Sequence, residues 1–78
     1  DYIEKDNKGN VSQGNVVISD AKDSVFIGNE KHLIAAIGLK DIVVIHTDDA
    51  TLICPKDKVQ DVKNLVGIIE KKGLEKYL

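Results

Sequence analysis

Arginine is absent from these 78 residues; all eleven basic side chains are lysines. The planar guanidinium fork is the usual device for bidentate phosphate recognition, so its absence argues against an intact phosphoryl- or nucleotidyl-transfer site within the chain. Aromatics make up only 4% of the residues (Tyr2, Phe26 and Tyr77), which leaves no platform for stacking bases or sugars. The single cysteine, Cys54, excludes an internal disulfide and fits a reducing cytoplasm. No apolar run approaches the roughly 20 residues of a membrane span, and no signal peptide is recognisable. The net charge of −2 offers no broad attraction to nucleic acid or anionic lipid. Methionine is missing too and the chain opens on Asp1, which reads as a piece of a longer protein whose catalytic machinery lies upstream.

What the chain does have is aliphatic β-formers, within a hydrophobic content of 42%. Asp1–Gly14 is polar, carries the turn signal Asn7-Lys8-Gly9-Asn10, and reads as a linker or hairpin leading into the domain (1–14). Five short runs follow over 15–56: Asn15–Ile18, Ser24–Ile27, Leu33–Ile37, Ile42–His46 and Thr51–Cys54. Each is too short for a helix and rich in strand formers, with turn residues between. After Pro55 the period changes. Val59, Val62, Leu65, Val66 and Ile69 recur at helical spacing, Asp57 with Gln60 suggests a capping box, and Gly73 suggests a stop. A helix over about 58–72, with the tail to residue 78, is therefore expected to cover the strands. Gly67, inside that helix, suggests close approach of a neighbouring backbone.

VVISDAKDSVFIG at 16–28 aligns without a gap on VVIHTDDATLICP at 43–55, an interval of twenty-seven. Read as stacked coils, this pairs Val16 with Val43, Ile18 with Ile45, Val25 with Leu52 and Ile27 with Cys54 in aliphatic ladders. The predicted fold is mainly β with one C-terminal α-helix: a short, irregular left-handed β-helix-like strand array capped by the helix. No regular hexapeptide rhythm is kept. A small open sheet with a covering helix is the alternative.

No residue set names a chemistry. His46, Asp48, Asp49 and Cys54 fall within nine positions, but without Cys-x-x-Cys or His-x-x-x-His spacing. Asp48-Asp49 reads as a turn pair, Cys54 as a small hydrophobe ending a strand, and His32 as the surface start of another. The glycines never form a phosphate loop. Lys56, Lys58, Lys63, Lys71 and Lys72, interleaved with Asp57, Asp61 and Glu70, read as a solvated face with local ion pairs. The expected site list is empty: no catalytic, cofactor-binding or metal residue.

The run LIAAIGLKDIVVIHTDDATLICPKDKVQDVKNLV, from Leu33 to Val66, strongly resembles the C-terminal region of bacterial mannose-1-phosphate guanylyltransferases. Gly38-Leu39, Asp41, Thr47, Asp49-Ala50, Pro55-Lys56-Asp57, Gln60 and Val62-Lys63 carry the resemblance, and Gly14-Asn15-Val16-Val17 extends it. The family usually has aspartate where this chain has His46. The resemblance implies a β-helical tail that packs on an upstream catalytic domain and takes part in subunit contacts. The parent would be an enzyme making GDP-mannose and pyrophosphate from GTP and mannose 1-phosphate with magnesium. That family's catalytic loop is not in this sequence, so no catalytic residue carries over. The partners implied are the catalytic domain of the same chain and a second copy. A free-standing β module that binds a protein through an exposed strand edge is the other reading.

Overall fold

The computed structural model describes residues 5–78, so the part of the leading segment over residues 1–4 lies outside the described residues. Six strands and one α-helix follow in order: β1 (Val11–Gln13), β2 (Val16–Ser19), β3 (Val25–Ile27), β4 (Ile34–Ile37), β5 (Ile42–His46), β6 (Thr51–Pro55) and α1 (Val62–Lys71). All five strands expected from the aliphatic runs are present to within a residue at each end. The sixth, β1, lies in the segment read as a leading hairpin. A turn does close there, through an antiparallel bridge of Lys5 with Val11, but the strand that leaves it is the first rung of the array.

The chain winds. β1, β3 and β5 stack in parallel on one face, with Val11 against Val25 and Val25 against Val43. β2 and β4 stack in parallel on a second face, with Val16 against Ile34. On a third side Lys22 bridges Lys40, again in parallel. One turn of the winding is thus eighteen residues from β2 to β4 and from β3 to β5, and fourteen from β1 to β3. The four extra residues lie in the loop between β3 and β4, which spans 28–33 where the first turn has only Gly14-Asn15.

This overturns the twenty-seven-residue ladder. Val16 and Val43 sit in different sheets, and Leu52 and Cys54 oppose Ile45 and Val43 in an antiparallel hairpin. Aliphatic strands resemble one another at many offsets, so they are poor markers of phase. The corners mark it better. Asp20 and Gly38, eighteen apart, both have positive φ (59° and 68°), as do Asp23 and Asp41 (52° and 56°). Asp-Ala-Lys-Asp at 20–23 therefore stacks on Gly-Leu-Lys-Asp at 38–41. Asp is among the few side chains that enter the left-handed region at modest cost. Gly14 (φ 92°) is more constrained: a Cβ there would lie 2.6 Å from the carbonyl carbon of Gly28, where successive turns touch backbone to backbone.

Inside, Phe26 is fully buried and packs with Ala21 and Val44, ringed by inward residues of β2 and β4 such as Ile18 and Ile34. At the corner before β3 the interior is polar. The buried Asn10 side chain donates to the Ala21 carbonyl (2.8 Å) and accepts from the Ser24 N–H (3.0 Å). Ser24, also buried, donates its hydroxyl to the Lys22 carbonyl and accepts from the Ile42 N–H at 3.1 Å. Asn10, Ser24 and Ile42 occupy equivalent places in three successive turns, so side-chain bonds tie each turn to the next. Asp6 completes the lower end, accepting from the Lys8 N–H and from the Asn10 N–H and side-chain amide. The bonds from Asn10, backbone first, hold the Asp6 carboxyl below the usual carboxylate range.

The helical segment begins differently from expectation. Pro55 is extended (ψ 150°), and Lys56–Asp61 forms a 3₁₀ stretch before α1. The Lys56 N–H is pinned to the Asp41 carbonyl at 2.7 Å. The Asp57 capping box does not form, and α1 has no side-chain N-cap. A 3₁₀ turn advances three residues rather than 3.6. This rotates Val59 out of the apolar stripe, and it is left exposed. The stop is as expected: Gly73 (φ 74°) donates to Glu70 and Leu74 to Ile69, a Schellman pair. Gly67, contrary to expectation, meets no neighbour; a Cβ there would find open space.

Three outcomes are expected. Asn10→Ala strands the buried Ser24 N–H and Ala21 carbonyl and should lower urea-unfolding stability by about 2–4 kcal/mol, while the exposed Ser12→Ala changes it little. Gly67→Ala adds helix propensity without a clash and should stabilise by up to about 1 kcal/mol, read as a rise in Tm. Because the Asp6 value is lower folded than unfolded, its contribution is complete above about pH 4 and is lost as pH falls through the folded value. Asp6→Asn should accordingly flatten the stability–pH curve of the chain below pH ~4.

Candidate functional site

Two surfaces stand out, one polar and one apolar. The polar one joins the 28–33 loop to the tip of the β5–β6 hairpin. Asn29 shapes the loop by accepting from the Lys31 and His32 N–H groups, and its amide donates to Asp48 at 2.9 Å. Lys31 Nζ lies 3.3 Å from the same carboxylate, and His32 Nδ1 lies 3.8 Å from it. The His32 and His46 rings meet edge to face with centroids 5.0 Å apart. His46 Nδ1 lies 2.7 Å from the Thr51 hydroxyl, while its Nε2 is buried without a partner among the described residues.

These contacts explain the geometry locally. Thr47 closes the hairpin with its N–H and hydroxyl on the Ala50 carbonyl, and its Oγ1 accepts from the Asp49 and Ala50 N–H groups. Asp48 and Asp49 are thus the turn pair expected, but Asp48 also pins the loop of the preceding turn. Asp49 and Cys54 do not join it. Cys54 sits half-buried opposite Val43 on β6. Among the described residues no group of three or more His, Cys, Asp or Glu is placed to hold a metal ion. The long-range Asn29–Asp48 tie was not legible in the sequence, because nineteen positions separate its ends.

The apolar surface lies along the outer side of β5 and β6. Ile45 and Leu52 oppose each other there and, with Val62, Leu65, Val66 and Ile69 of α1 and the C-terminal Tyr77 and Leu78, line a groove of about 270 Å³. No residue of α1 is fully buried, and Leu65 remains 40% exposed. The helix therefore covers the last rung from its flank. Ile53, which shares the inward side with Val44, is left 65% exposed. Val17, Leu33 and Ile37 add exposed aliphatics around β2 and β4. The lysines of the helical segment are all exposed, as read from their spacing, but they make no ion pair with Asp57, Asp61 or Glu70. No helix of the described residues is long and apolar enough to cross a membrane.

Known proteins share this architecture. Residues 14–69 match the model of the mannose-phosphate isomerase/GMP-like β-helix domain. The alginate biosynthesis protein AlgA of Pseudomonas putida is 47% identical over 70 residues, covering 90% of this chain and 14% of its own length. The mannose-1-phosphate guanylyltransferase of Escherichia coli is 40% identical over 73 residues, covering 94% and 16% respectively. A crystal structure described as a mannose-1-phosphate geranyltransferase from Thermus thermophilus superposes with a TM-score of 0.71 at 28% identity, over 85% of this chain and 20% of that one. The chain thus spans about a seventh of the length of the curated relatives it matches. With its parallel turns, its single C-terminal helix and 56 of its residues matched, the chain belongs to the mannose-phosphate isomerase/GMP-like β-helix domain family.

Proposed function

We propose that the chain is the non-catalytic C-terminal domain of a nucleotidyltransferase that makes GDP-mannose from GTP and mannose 1-phosphate, serving packing against the catalytic domain or dimerisation. The observation that carries this reading is the apolar surface. A small array leaves the Ile45–Leu52 groove, Ile37 and Ile53 open to solvent, and apolar patches of that kind mark contact sites. Its polar groups, by contrast, are spent on holding turns together. Asn10 and Ser24 stitch the winding, and Asn29 with Asp48 ties loop to hairpin.

Among the described residues no group of three or more His, Cys, Asp or Glu is placed to hold a metal ion, which is compatible with a magnesium site elsewhere in the enzyme. The absence of arginine agrees. In this reading GTP, magnesium and sugar phosphate are handled by the rest of the enzyme, in the cytoplasm. The relatives' names support the parent activity, and the contact surface supports the domain's part in it. The second reading, a module that pairs with a partner through a strand edge, is favoured by one observation: no described residue pairs with the outer edge of β4.

The test is direct. The purified chain, supplied with GTP, mannose 1-phosphate and magnesium, should release no pyrophosphate above a buffer control in a coupled phosphate assay. Turnover by the chain alone would overturn the non-catalytic reading.

A further inference from the structure

Side chains hold the loop over 28–33 against the tip of the β5–β6 hairpin, and the seam between them carries two contacts. The first centres on Asp48, which accepts from the Asn29 amide at 2.9 Å and from Lys31 Nζ at 3.3 Å. The second is the edge-to-face pair of His32 and His46, with ring centroids 5.0 Å apart. An exposed ion pair such as Lys31 with Asp48 contributes little by itself. The ring pair is therefore the part of the seam whose state matters most.

His46 has one partnered nitrogen and one orphan. Its Nδ1 lies 2.7 Å from the Thr51 hydroxyl, and its Nε2 is buried with no hydrogen-bond partner among the described residues. A neutral imidazole has one donor and one acceptor nitrogen. With the proton on Nδ1 and given to Thr51, only a bare Nε2 lone pair goes unpaired. An imidazolium donates from both nitrogens, so Nε2 would become a buried, charged donor without an acceptor, the costly case.

Nothing around the ring supplies a spare negative charge. The loop brings Lys31 and His32, and the hairpin tip brings Asp48, whose carboxylate is already taken up by Asn29 and Lys31. Glu30 and Asp49 are exposed and form no ion pair with either ring. β3 ends on Ile27 beside Ile45 and brings no titratable group. On β6 the neighbour is Thr51, while Cys54 lies opposite Val43 toward the other end. His32 differs: it is half exposed, and its Nδ1 lies 3.8 Å from Asp48, so a proton there has both water and a carboxylate to face.

We infer that this seam is a proton-operated latch: a proton taken up by His46 releases the hairpin tip from the 28–33 loop. The latched form holds fewer protons than the released form, so latching is complete at the alkaline side and is lost as pH falls through the range where imidazoles ordinarily titrate, near pH ~6.5. With both rings charged, two imidazoliums and Lys31 would share one carboxylate across the seam. Release also reaches the other side of the hairpin. Ile45, Thr47 and Ala50 line the apolar groove, so proton uptake loosens one wall of it. The latch lies within one chain and does not rest on the contact-domain reading.

Proton NMR of the 78-residue chain between about pH 8 and about pH 5 tests this, a range that spans imidazole titration. The Overhauser contact between the His32 and His46 rings should weaken at least threefold at the acid end. The Asn29 side-chain amide signals should move at least halfway to those of free asparagine. His46→Asn keeps a donor for Thr51 but cannot take up the proton, and it should hold the Asn29 signals still over the whole range. His32→Asn should leave their pH response in place. Should His46→Asn fail to fold by circular dichroism, the unsubstituted chain still decides: its His46 ring signals and Asn29 amide signals should change with one shared midpoint. Asn29 signals that stay fixed in the unsubstituted chain, a response that survives in His46→Asn or vanishes in His32→Asn, or separate midpoints would overturn the latch. Pyrophosphate release in the turnover assay would overturn the non-catalytic reading and leave the latch standing.

Discussion

One side-chain amide holds the phase of this molecule. Asn10 is buried with a donor and an acceptor, both of which must find partners, and the second turn of the winding supplies both at once. The Ser24 hydroxyl repeats the device one turn later on the Ile42 N–H. Aliphatic stacking alone is indifferent to small slips along or across the turns. A buried amide is not, since a slip leaves its groups unpaired at a cost of about 1–3 kcal/mol each. With the polar corner held, Phe26 has one place to go, against Ala21 and Val44, and the inward residues of β2 and β4 close around it. So small an interior has room for little else.

How the winding ends decides what the molecule offers to others. A third strand on the second face would have covered β4 and extended the core. Instead the Thr47–Ala50 turn sends β6 back along β5, and the remaining chain lies as a helix along the outside of that hairpin. The same reversal leaves a strand edge, an apolar groove and the inward-pointing Ile53 all open. These open apolar surfaces belong to a domain that spans about a seventh of the length of relatives named for guanylyltransferase and alginate biosynthesis. His46 fits the same picture. Its ring packs on His32 and reaches Thr51, where it helps hold the hairpin tip against the preceding loop.

The strands, the single helix and its glycine stop were legible because local chemistry writes them: β-branched runs of four or five, a 3.6-residue apolar stripe, and Gly73 where only a left-handed residue ends the helix well. The resemblance across Leu33–Val66 was legible for a different reason, the specific Pro55-Lys56-Asp57 and Gln60 pattern, and it led to the correct family. Its 3₁₀ start was not legible, because the Asp41 carbonyl that pins Lys56 is supplied from another turn of the winding.

The amino-acid sequence by itself determined that the chain would be strands followed by a helix, and that it carried no arginine fork, phosphate loop or metal spacing. Only the tertiary structure decided the eighteen-residue turn, since near-identical aliphatic runs match at many offsets and the corner residues Asp20, Gly38, Asp23 and Asp41 reveal their left-handed role only once folded. It also decided which edge stays open. Whether β4 acquires a neighbour depends on where the chain goes after His46, and a four-residue turn of Thr, Asp and Ala sends it back rather than onward.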